Sequence, residues 1–166
     1  STNHLEFKND ISKSALIAGF VATNTGYISF GKSSLTFTAN CGNVAGFVAV
    51  NSKKISNSKV VISGSIKNTL TTTDNTITGG FVTKNTGSIF GSYVSGKNSN
   101  TDGIIDSLAS VGGFANQNSG EISNCFSSIT VNSTTRSSGF VYNNSGSITS
   151  SYANCVIETS STVHTP

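Results

Sequence analysis

Charge is scarce in this chain. Lys and Arg number 10 and Asp and Glu 7 across 166 residues, a net +3. That balance is too weak and too scattered to grip nucleic acid, whose phosphates demand clustered cations. No apolar run approaches the roughly 18 residues that a membrane-spanning helix needs, so no membrane span is expected in this segment. Three cysteines cannot close a complete set of disulfides, and three free thiols are expected. His4 and His164 stand near opposite ends with no Cys, Asp or Glu at metal-ligand spacing, so neither metal nor other cofactor is expected. No stretch carries the capped 3.6-residue apolar stripe of a helix. The chain opens on Ser1 rather than Met and reads as a processed or excised segment.

Catalytic signals are equally thin. Asp102 and Asp106 share one insert and Asp74 sits in another; paired carboxylates suit acid–base work or calcium, but a solvated loop is the simpler reading. Ser29-x-x-Lys32 and Ser56-x-x-Lys59 have the spacing of a Ser/Lys nucleophile without its partner motifs. Asn132-Ser133-Thr134 and Asn143-Asn144-Ser145 are glycosylation sequons that chance explains in an Asn- and Ser-rich chain. Enzyme activity is not expected.

What is present is a repeat. Gly-Phe, three residues, Asn, Ser or Thr, two residues and Ile recur five times with invariant inner spacing. The copies begin at Gly19, Gly46, Gly80, Gly113 and Gly139, separated by 27, 34, 33 and 26 residues. A fixed interior with variable spacers is one structural unit repeated, with insertions confined to loops. Phe, Val, Ile and Thr dominate between turn signals such as Asn-Thr-Gly, so the unit is extended. The expected fold is all-β, a β-solenoid of about five parallel-stacked coils with two loop insertions, each coil having three strands and three turns. The solenoid is assigned to residues 19–157, with a lead-in strand segment at 1–18 and a tail at 158–166.

Stacking turns repeat positions into ladders. Phe20, Phe47, Phe81, Phe114 and Phe140 form one; Ile28, Ile55, Ile89, Ile122 and Ile148 a second. Leu35, Ile62, Ile129 and Cys155 follow seven residues later, then Phe37, Val131 and Ile157; Gly96 and Asn98 break this pattern, so the third copy is shifted or looped out there. Asn24, Asn51, Asn85, Asn118 and Asn144 form a turn ladder whose amides can bond the copies above and below. Two residues on, Gly26, Gly87, Gly120 and Gly146 are expected to supply positive φ, and Lys53 to give its turn another shape. Val21, Val48, Val82 and Val141 adjoin the Phe ladder, leaving open which column faces inward. The inserts Ser65–Ile77 and Lys97–Val111 are expected at one corner. Tyr93, Phe126 and Tyr152 share a column, a candidate glycan platform that Lys32 and Lys59, filling the column earlier, shorten to three coils.

The repeats resemble the GLUG-motif family, whose units run approximately Gly-Gly-Leu-Val-Gly-x-Asn-x-Gly-x-Ile-x-Asn-Cys-Tyr. The nearest copies are Gly112-Gly113-Phe114-Ala115…Asn118-Ser119-Gly120-Glu121-Ile122-Ser123-Asn124-Cys125-Phe126 and Gly79-Gly80-Phe81-Val82…Asn85-Thr86-Gly87-Ser88-Ile89…Ser92-Tyr93. Phe replaces Leu throughout, and Ala22, Ala49, Thr83, Asn116 and Tyr142 replace the motif's later Gly. The resemblance spans Gly19 to about Ile157 and implies a repetitive region of a large secreted or surface-attached, adhesin-like protein; it brings no catalytic residue. The expected role is therefore an extracellular or cell-surface stalk or fibre-forming segment, with self or flanking domains as partners. A solenoid recognising glycan or ice is the alternative. The Leu5–Lys8 stretch alternates like a strand and is expected to be donated to the next subunit, giving a fibre; the alternative is a segment whose flanking domains were removed.

Overall fold

The computed structural model describes residues 3–6, 15–70, 76–98 and 102–158; these form strands, turns and bends without helix. Five coils stack in parallel register into a β-solenoid. Each coil has four sides rather than the three expected, because the Gly-Phe step is itself a corner. The first side comprises Leu16–Ala18, Asn43–Ala45, Ile77–Gly79, Ser110–Gly112 and Ser137–Ser138. The second comprises Val21–Asn24, Val48–Asn51, Val82–Asn85, Ala115–Asn118 and Val141–Asn144. The third is Tyr27–Ser29, Lys54–Ser56, Ser88–Phe90, Glu121–Ser123 and Ser147–Thr149. The fourth begins with the long strands Lys32–Ala39 and Lys59–Asn68 and continues as pairs of shorter strands.

At the first corner the backbone bends between Phe and the next residue, so alternation fails and both side chains point inward. Phe47, Val48, Phe81 and Val82 are all fully buried. One carbonyl serves two donors there: Phe47 O accepts from the Phe20 and Val21 N–H groups, each at 3.0 Å. The motif glycine lets backbones approach, since a Cβ on Gly46, Gly80 or Gly113 would strike the carbonyl oxygen of Gly80, Gly113 or Gly139 in the next coil.

The second corner corrects an expectation. Gly26, Gly87, Gly120 and Gly146 do not have positive φ. A Cβ on the last three would instead strike the carbonyl oxygen of Lys53, Gly87 or Gly120 in the preceding coil. Lys53 does not set its turn apart: its N–H points to the Asn51 Oδ1 at 3.4 Å as the Gly26 N–H does to the Asn24 Oδ1 at 3.1 Å, while Gly120 and Gly146 reach the preceding coil's Asn85 and Asn118 carbonyls at 3.2 Å. Left-handed backbone falls at the third corner, two residues past each ladder Ile. Phe30, Asn57, Gly91, Asn124 and Ser150 have φ of 55, 49, 57, 52 and 47°.

The two inserts leave from different places, not one corner. Ser65–Asn68 is still strand; Leu35 and Phe37 face Ile62 and Ile66, so part of the second coil's extra length is a bulge inside Lys59–Asn68 and the rest lies between Asn68 and Ile77, at the fourth corner. The third coil instead detours at 97–103, in the middle of its fourth side, as Gly96 and Asn98 signalled. Gly96 pairs with Ile62 and Ile104 resumes opposite Ser65. The interior column therefore runs Phe37, Ile66, Ile105, Val131, Ile157.

Asn3–Glu6 pairs in parallel with the chain's own fourth side, Leu5 opposite Phe37. It is thus engaged within its own chain rather than donated to a neighbour. Leu16–Ala18 belongs to the first coil, so the lead-in merges with the solenoid. The tail beyond Glu158 lies outside the described residues.

Candidate functional site

The Phe ladder is continuous, with ring centroids 4.7, 4.8, 4.8 and 5.0 Å apart from Phe20 to Phe140. Ile55, Ile89 and Ile122 are fully buried in the second ladder. The Asn ladder is a single hydrogen-bonded chain. Asn24 Nδ2 donates to Asn51 Oδ1 at 2.8 Å; Asn51, Asn85 and Asn118 donate in turn to Asn85, Asn118 and Asn144 at 2.7 Å. Each of the last four also donates to the carbonyl two residues on, tying the corner to the ladder. Sequence reasoning found these ladders from spacing alone.

It missed a second polar cluster, because those residues come from sides whose lengths vary. Asn68 Nδ2 donates to Cys41 O at 3.1 Å and Thr78 Oγ1 at 3.2 Å, and the Thr78 and Ser107 hydroxyls bond at 3.1 Å. These buried side chains close the interior where fourth and first sides meet.

At the two ends the ladders are left open. Phe20 is 49% exposed, while Ile148 and Ile157 are exposed at the other end. Gly139 occupies the invariant glycine column, yet the nearest atoms to an added Cβ there are side-chain atoms of Cys155 and Ala153, at 3.2 and 3.4 Å. Every earlier glycine of that column faces the carbonyl of a following coil.

Tyr93, Phe126 and Tyr152 do come together, with centroids 4.6 and 5.3 Å apart and planes 5 and 7° from parallel. The Lys59 ammonium lies 5.9 Å from the Tyr93 centroid. The rings therefore cover one another's faces, and the outer face of Tyr152 is the one left for a sugar to stack upon. An open polar groove of about 240 Å³ runs past Lys84, Gln117 and Asn143 on the second side.

Asp106 is held by Lys67 Nζ at 3.2 Å and Asn132 Nδ2 at 3.3 Å, and Asp102 accepts the Asn98 N–H at 3.1 Å. Asp74 and His164 lie outside the described residues. Among the described residues no three His, Cys, Asp or Glu side chains gather into a metal-binding group. Cys41, Cys125 and Cys155 are free thiols, and burial pushes Cys125 up to about 11 and raises Cys41. Among the described residues no helix is long and apolar enough to cross a membrane. No protein-family model, curated protein or solved structure matches the chain.

Proposed function

We propose that this chain is a non-enzymatic structural segment of an extracellular or cell-surface stalk, whose ends take further coils. The carrying observation is the pair of exposed end faces, above all Gly139, which keeps the column's glycine although the nearest atoms to an added Cβ are side chains of Cys155 and Ala153 and not the carbonyl that crowds each earlier glycine. Composition rich in Ser, Thr and Asn and the resemblance to GLUG-type surface proteins supply the location. At the N-terminal face Asn3–Glu6 already holds part of the fourth side, so an arriving coil has three sides to fill. That step favours a longer column over flush stacking of identical copies. The glycan and ice readings have weaker support: the stacked rings leave only the outer face of Tyr152 for a sugar, and Thr38 stands opposite Lys67 rather than another Thr.

A tandem duplication of residues 133–158 placed after Glu158 tests the reading, since repeat stacks gain stability with each interface. The expected result is a higher melting temperature, and the Gly139→Ala version should lose that gain while the unextended variant still folds. An added coil that leaves melting unchanged would reject the C-terminal face as coil-receiving. Filaments in electron micrographs of the unextended chain would replace the stalk reading with a fibre of copies.

A further inference from the structure

One corner of the first two coils is unlike the rest of the surface. Tyr27 is 84% and Phe30 78% exposed. Ile28 packs toward the core, so strand alternation turns Tyr27 outward. Phe30 sits at the convex third corner in left-handed backbone, φ 55°, where later coils place Asn57, Gly91 and Asn124. A bulky apolar residue pays twice in that position, in backbone strain and in exposure to water. Around these rings stand Lys54, in register with Tyr27, and Lys32 and Lys59, in register with each other. Like charges directly opposite across a ladder repel. Residues 15–70 contain no Asp or Glu, and none of the three lysines has a carboxylate partner among the described residues.

We propose that this corner is a docking site for an anionic lipid surface, with Phe30 and Tyr27 entering the headgroup layer and the lysines meeting lipid phosphates and carboxylates. Projecting aromatics among lysines are the chemistry of interfacial anchoring. The shape and charge favour lipid over polysaccharide: the corner is convex, and three ammonium groups with no carboxylate stand around the rings beside the single amide of Asn57. The site does not depend on whether the ends of the stack take further coils.

Vesicle co-sedimentation of the 166-residue chain tests this, comparing phosphatidylcholine vesicles with vesicles containing phosphatidylserine, at low and physiological salt. Binding is expected only to the anionic vesicles, weakening with salt. Lys54→Gln should lower partitioning about fivefold. Phe30→Asn suits the left-handed backbone, so it should keep or raise the melting temperature while lowering partitioning about tenfold. Equal partitioning to both vesicle types, or wild-type partitioning by folded Phe30→Asn, would overturn the proposal. Retention on immobilised heparin without vesicle binding would overturn it in favour of a polyanionic glycan.

Discussion

Three residues past every ladder Ile but the first, where Gly31 stands, a small side chain bridges successive coils. Ser58 Oγ accepts the Gly31 N–H at 3.0 Å, Ser92 Oγ the Ser58 N–H at 3.1 Å, and Ser151 Oγ the Cys125 N–H at 3.1 Å. Cys125 fills the same slot with sulfur, accepting from Ser92 N–H at 3.5 Å and donating to Ser123 O at 3.2 Å. Its thiol titrates near 11 instead of 9.0 because burial disfavours the thiolate. Between those values the unfolded chain has lost its proton and the folded chain has not. Stability is therefore full below pH 9 and falls as pH rises toward 11, by up to about 3 kcal/mol for this group. Cys125→Ser should flatten that part of a urea-denaturation series against pH while leaving stability at pH 7 within about 1 kcal/mol. An equally steep decline in the variant would assign the alkaline loss to other groups. The left-handed corner one residue earlier was harder to read from sequence. Asn57, Gly91 and Asn124 signal it, but Phe30 and Ser150 hide the column, and the conspicuous Asn-x-Gly turns drew the positive-φ assignment instead.

Among the elements, the Asn ladder shows how position in the stack sets energetic weight. Asn85→Ala removes bonds to both neighbours and strands the Asn51 donor and Asn118 acceptor inside the core. The expected cost is about 3 kcal/mol, since each orphaned buried group adds its own desolvation penalty. Asn144→Ala at the exposed end breaks one such bond and should cost under about 1 kcal/mol. Equal melting temperatures for the two variants would show the ladder contributes no net stability. Constant spacing made the Phe, Ile and Asn ladders legible, because parallel stacking converts periodicity directly into contact. The number of sides was not legible. Strands of three or four residues separated by two-residue bends look like one longer strand, and Gly-Phe carries no conventional turn signal.

For the molecule as a whole, the N-terminal strand illustrates a different limit. Alternation in a sequence identifies a strand, but which edge receives it depends on which edge is vacant, and Asn3–Glu6 finds one on its own fourth side. The detour at 97–103 carries the opposite lesson, that the column can be left and rejoined without losing register. A Cβ on Gly103 would come within 2.7 Å of the Gly96 Cα, so the two ends of the detour touch. Lengthening a loop whose ends already meet adds closure entropy only logarithmically. A small independently folding domain inserted between Asn98 and Asp102 should therefore leave the solenoid's own melting transition in place beside its own. A markedly lowered solenoid transition would mean the native loop sequence helps set register. If both transitions persist, the column becomes a mast that carries cargo sideways at a chosen height, and new surface activities can be added without rewriting the core.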